Sequence, residues 1–400
     1  MAEPELRERQ GTVTVTGWQT WGTLGGLFLV SAGFIAYAIA PASVLPLFMD
    51  TFSIGKTAAS ASISAVFLTW ALLQIPGGYL LDRFDNRYLV FLGTGLFILA
   101  SLTGLFVDSY TLFLGTRLVS GACAVFVIVG SVNILGRLLP ENFEALGLSI
   151  FIASPPFGVA VAQYSGPRLA ALYGWKSAIL VYTLVALFGL AVSVTVLRQP
   201  VKADSRVTVH QFVAALRNPT ILIISTASFC TYAVWTFLNT WMPTYGTEVL
   251  GIELAAAGAT TALVPLAGIV SRPGGGWLSE KLGGRLQPVI LISFLASILF
   301  LYLLSIAPSP TTFAILLGLT GGAVNLAVGL YLVYVNSVAD ASTHGTSLAV
   351  LLTFSQVGNL VAPLVGGWLI AQLSWTAGFG FAAGLAIVGV VLVVFVPTTR

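Results

Sequence analysis

The chain has 400 residues, of which 57% are hydrophobic and 8% charged, with a formal net charge of +3. A soluble domain carries about 25% charged residues, so this chain lacks the polar skin that water demands. A mean hydropathy of +0.96 therefore places its outer surface in lipid and excludes a soluble enzyme or a nucleic-acid-binding module.

Residues 1–10 are charged and polar with no cleavable apolar core after them, so no signal peptide is expected. A helix crosses hydrocarbon with about 20 apolar residues. Such runs are predicted at 22–49, 57–81, 88–107, 111–136, 145–165 and 176–197, the first kinked by Pro41 and Pro46. They resume at 220–243, 257–280, 288–306, 311–338, 345–372 and 375–397. Barrel strands alternate and need only about 10 residues, so the expected fold is all-α, with twelve transmembrane helices. The polar stretch 198–219 separates a first six-helix unit, 1–197, from a second, 220–400. Within it, Thr208-x-x-Gln211 has the form of a capping box opening a short helix that ends before Asn218-Pro219.

Cytoplasmic termini are expected from the basic residues. That orientation puts Arg7, Arg9, Arg83, Arg87, Arg137, Arg198, Lys202, Arg206, Arg217, Lys281, Arg285 and Arg400 inside, and only Lys56, Arg168 and Lys176 outside. Short loops and the lack of an N-x-[ST] site fit a multi-pass protein of a prokaryotic inner membrane. Cys123 and Cys230 fall within apolar spans and read as packing residues. No metal-ligand cluster, nucleotide-binding loop or nucleophile–base pair is evident, so neither metal, cofactor nor catalytic residue is expected.

The two units repeat each other. Gly77-Gly78-Tyr79-Leu80-Leu81-Asp82-Arg83 recurs 198 residues later as Gly275-Gly276-Trp277-Leu278-Ser279-Glu280-Lys281, and Gly166 and Trp175 recur 200 residues later as Gly366 and Trp375. The stretches Gly78 to Arg87 and Gly276 to Arg285 resemble the signature G-x-L-a-D-r-x-G-r-[rk] of the major facilitator superfamily. The first copy departs from it at Asp85 and Asn86. Arg117-x-x-Ser120-Gly121 is similar to the family's fourth-span motif. Pro155-Pro156 stands where drug/proton antiporters carry a different motif, which counts against that branch. The resemblance implies two pseudo-symmetric six-helix bundles that rock about a central site. It also implies a gating cluster of Gly78, Asp82, Arg83, Arg87, Gly276, Glu280, Lys281 and Arg285 that latches the outward-open state. Gly78 and Gly276 are expected to let their helices approach a neighbour closely.

Charge inside a span costs roughly 2.5–3.5 kcal/mol on insertion scales, which marks it as functional by default. Only Arg272 and Arg117 lie well inside predicted spans, whereas Asp50, Asp82, Asp108, Glu280 and Asp340 sit near span ends. A guanidinium without a buried acid calls for an anionic substrate. The stretch 272–278 resembles the eighth span of nitrate/nitrite porters, monocarboxylate transporters and oxalate–formate exchangers, where an arginine meets the substrate. Gln74 is the repeat counterpart of Arg272; nitrate porters carry a second arginine there, so a carboxylate is favoured over nitrate. Gln356 and Asn359, one turn apart, with Asn325, Tyr37, Tyr232 and Trp235, complete the expected substrate-binding set, and Arg117 is included in it. With no buried acid and with His210 and His344 poorly placed, proton relay has no evident residue. The expected function is gradient-driven or exchange transport of a small anion by a monomer. The alternatives are proton-coupled efflux of hydrophobic compounds, which would want a buried acid, and a non-transporting sensor, which would want a signalling domain.

Overall fold

The computed structural model describes residues 17–201, 216–340 and 343–396. The segment around Arg7 and Arg9, the expected cap at Thr208 and Gln211, and Lys202, Arg206, His210 and Arg400 lie outside the described residues, as does the side chain of His344. The described residues contain twelve helices long and apolar enough to cross a membrane. The first six are α1 (Gly17–Ser43), α2 (Lys56–Arg83), α3 (Asn86–Phe106), α4 (Tyr110–Leu138), α5 (Asn142–Tyr173) and α6 (Lys176–Val196). The second six are α7 (Pro219–Glu248), α8 (Leu254–Lys281), α9 (Leu286–Ser305), α10 (Pro310–Val338), α11 (Gly345–Gln372) and α12 (Trp375–Val394). An even number of crossings puts the start of α1 and the end of α12 on one face, called here the termini face.

Helix breaks fall where the sequence weakens the backbone ladder. α1 runs through Pro41 and stops at Val44; a short helix, Leu45–Phe52, then carries Pro46 in its first turn, where a missing N–H is harmless. α5 breaks at Ala153, and Pro155 and Pro156 occupy the first turn of its continuation. α4 contains a π-helical turn at Phe126–Gly130, and α10 breaks at Leu326 and Ala327. These last two irregularities are repeat counterparts.

The duplication also fixes the helix crossings. Gly121 on α4 lies against Val66 of α2, and its counterpart Gly321 on α10 lies against Val264 of α8, so close that an added Cβ would overlap the neighbouring backbone. Gly158 of α5 abuts Ala32 of α1, just as Gly358 of α11 abuts Phe229 of α7. Without a hydrophobic drive inside lipid, such backbone approach is what holds helices together. One expectation is corrected here. The signature glycines Gly78 and Gly276 have open space around them, and the close contacts belong to the preceding residues, Gly77 against Val125 and Gly275 against Leu326.

α1 and α7 are the most buried spans, and α12 the least, followed by α6, α8 and α9. Leu72, Leu92, Leu99, Val270, Leu295 and Leu299 point outward and form part of the apolar surface that the composition requires. The halves meet through α2 against α11 and α5 against α8. Polar contacts across this seam include Lys56 Nζ to Glu248 Oε2 at 2.7 Å, Ser64 Oγ to Leu360 O at 2.8 Å and Gln163 Nε2 to Asn239 O at 2.6 Å. All three lie between the middle of the bundle and the face opposite the termini.

Candidate functional site

The centre of the site is on α8. This helix turns at Ala262, resumes at Leu263 and carries Gly268 and Arg272 one turn apart, with Pro273 following. Arg272 Nε donates to Asn325 Oδ1 at 3.1 Å. Asn325 is fully buried at the last residue before the break in α10, and its Nδ2 donates to Gly321 O at 2.8 Å. The two terminal amines of Arg272 make no hydrogen bond with the described residues. Tyr232, half-buried, lies on α7. One turn on, the Trp235 indole N–H is buried without a hydrogen-bond partner. An intramembrane cation thus stands with free donors and, among the described residues, no acid paired with it.

Gln356 and Asn359 share a face of α11 and are bonded together, Asn359 Nδ2 to Gln356 Oε1 at 2.9 Å. Thr236 Oγ1 donates to Asn359 Oδ1 across the α7–α11 contact. Asn359 is therefore occupied in joining the two helices, and Gln356 keeps its amide nitrogen free of hydrogen bonds among the described residues. On α2, Gln74 Oε1 accepts from Trp70 Nε1 at 3.0 Å, so the repeat counterpart of Arg272 presents a neutral amide.

The structure does not bring Arg117 to this group. It is completely buried, with Nε to Ser62 O at 2.8 Å, Nη1 to Tyr37 O at 2.9 Å and Nη2 to Ala38 O, and it stacks 4.3 Å from the Tyr37 ring. Tyr37 completes the knot through its hydroxyl, 3.0 Å from Ser120 Oγ. A guanidinium engaged by carbonyls of α1 and α2 is a clamp between three helices, and both Arg117 and Tyr37 are occupied in it.

At the termini face the two signature copies share one local device. Arg83 packs 4.2 Å from the Tyr79 ring, and its counterpart Lys281 packs 4.2 Å from the Trp277 ring. Asp82 is half-buried, while Glu280 and Arg285 are exposed. The sequence departures at Asp85 and Asn86 have a structural purpose that the motif alone conceals. Asp85 Oδ1 accepts from Val201 N at 3.0 Å and from Arg87 N at 3.0 Å; Asn86 N donates to Val201 O at 2.8 Å. Arg87 pairs with Asp85 at 3.3 Å and also reaches Arg198 O. The start of the central linker is thereby pinned to the α2–α3 loop. In the second copy, Gly283 and Gly284 instead adopt φ of +76° and +78°, a region that favours glycine.

The sequence model of the Major Facilitator Superfamily matches residues 24–294 and 284–400. The nitrite extrusion protein of Bacillus subtilis is 25% identical over 385 residues, covering 93% of each chain. The probable nitrate/nitrite transporter NarK2 of Mycobacterium tuberculosis is 25% identical over 328 residues, 79% of this chain and 80% of that one. The multidrug resistance protein MdtG of Salmonella arizonae is 26% identical over 387 residues, 90% and 91% of the two chains. Among solved structures, a bacterial homolog of the human lysosomal transporter Spinster superposes with a TM-score of 0.72 at 16% identity over 95% of each chain, a likeness of fold. With the model covering nearly the whole chain, the duplicated signature and the twelve-helix bundle have one reading: this multi-pass membrane protein belongs to the Major Facilitator Superfamily.

Proposed function

We propose that this chain is a secondary transporter that moves a small singly charged anion, a carboxylate or a nitrogen oxyanion, by alternating access. The observation that carries this reading is Arg272, mid-span, with its terminal amines unbonded and no carboxylate paired with it among the described residues. A planar guanidinium fork suits a small planar anion, and Tyr232, Trp235, Gln74 and Gln356 supply neutral donors at similar depth. The nitrite and nitrate/nitrite relatives support the anion class. In this reading the seam at Lys56, Ser64 and Gln163 closes the outer side, the termini lie in the cytoplasm of a bacterial cell, and a single chain works by exchange or down a gradient. The stacking of Lys281 on Trp277 fits a cytoplasmic latch that is released while the outer side is shut.

The test is thermal stability of the purified protein with nitrite, nitrate, formate and acetate, alongside Arg272→Gln. A ligand at a hundredfold excess over its Kd stabilises the folded state by about 2.7 kcal/mol. A shift with at least one anion, absent in the variant, is expected. The likeness to MdtG at similar identity keeps drug efflux as a second reading; shifts with lipophilic cations and none with anions would establish it instead.

A further inference from the structure

We infer that Asn325 is the positioning residue of the anion site, a neutral acceptor that aims Arg272 without cancelling its charge, and that Gly268 exists to let it do so. The inference rests on the anion reading above and concerns residues that act through the arginine.

The geometry is tightly determined. Asn325 donates through Nδ2 to Gly321 O, one turn back on its own helix. This bond fixes the amide orientation, so Oδ1 is the atom left for Arg272 Nε. A side chain at Gly268 would occupy the same space, since its Cβ would stand 2.7 Å from Asn325 Cγ. The pair is bracketed by two backbone contacts between α8 and α10, Gly321 against Val264 on one side and Gly275 against Leu326 on the other. Neither helix can slide without breaking a contact. With Nε held, the fork of terminal amines is aimed by the plane of the guanidinium, which restricts its rotation before any ligand arrives. Preorganisation of this kind improves affinity by removing an ordering cost.

The first half shows what the absence of this arrangement looks like. At the counterparts of Gly268, Arg272 and Asn325 stand Trp70, Gln74 and Val125. Trp70 bonds Gln74, and α4 carries the apolar Val125 where α10 carries Asn325. The glycine, the arginine and the asparagine occur together in one half, and none of the three occurs in the other.

An acidic residue at 325 would also accept from Arg272, but it would supply the counter-charge in place of the substrate. That difference gives the test. Nitrite and formate are titrated in a thermal-shift assay against the wild-type chain and Asn325→Asp, Asn325→Ala, Gly268→Ala and Arg272→Gln. The expected result is a roughly tenfold rise in Kd for Asn325→Ala and Gly268→Ala, with loss of the response in Asn325→Asp. A merely structural asparagine predicts that Asp and Ala both lower Tm, through loss of the bond to Gly321 O, while Kd stays at the wild-type value. That pattern overturns the inference. Should Asn325→Asp fail to fold, the Kd values of the two alanine variants decide. No anion response in the wild-type chain, or an undiminished response in Arg272→Gln, refutes the functional reading itself. Loss in Arg272→Gln with unchanged Kd in the other variants refutes only the role of Asn325.

Discussion

Lys56, at the start of α2, and Glu248, at the end of α7, form an ion pair of 2.7 Å that joins the two halves at the face opposite the termini, with Lys56 lying 5.5 Å from the Trp375 ring. Both partners are partly exposed, so the pair contributes on the scale of surface pairs, about 0.2–1 kcal/mol. An equilibrium between two conformers needs no more than this to move a few-fold. Lys56→Ala should therefore speed alkylation of a cysteine placed at the buried seam position Ser60, and the swap Lys56→Glu with Glu248→Lys should slow it again. Unchanged alkylation in Lys56→Ala would show that packing alone holds the seam.

Arg272→Lys separates charge from shape. Lysine keeps the positive charge but offers a point donor in place of the planar fork, and it loses the Nε bond to Asn325. Anion affinity should fall about tenfold while remaining measurable, whereas Arg272→Gln should remove it. Equal affinities for the arginine and lysine forms, read by thermal shift, would argue that only charge matters.

Arg117→Met should behave differently. It removes three hydrogen bonds that tie α4 to Ser62, Tyr37 and Ala38. Leaving a buried acceptor without its donor costs about 1–3 kcal/mol, so the variant should lose yield and Tm. Anion Kd in the surviving folded fraction should stay at the wild-type value. A changed Kd with unchanged Tm would return Arg117 to the binding site.

Adjacent glycines give a steric contrast. In Gly275→Ala the new methyl overlaps Leu326 O, whereas in Gly276→Ala it meets nothing within 4 Å. Overpacking costs typically 1–3 kcal/mol, so Tm should drop in the first variant and hold in the second. The same contrast is expected for Gly77→Ala, which meets Val125, and Gly78→Ala, which is free.

The amino-acid sequence by itself determined the class of protein, the twelve spans and the duplication, because lipid imposes length and apolarity on each helix locally, without reference to the rest of the chain. The kink near Pro41 and Pro46 and the isolation of Arg272 were legible for the same reason: proline geometry and intramembrane charge act at the residue that carries them. Tertiary structure decided what each buried group touches. Arg117 and Arg272 look alike as single charges in apolar runs, yet one is bonded by three carbonyls and the other keeps its amines free. Gly275 and Gly276 are equivalent in composition, and only the crossing with α10 shows which one is in contact. Asp85 and Asn86 read as flaws in a motif until the fold brings Val201 beside them, more than a hundred residues along the chain. Partners so distant in sequence are chosen by packing, and packing leaves no periodic trace in the order of residues.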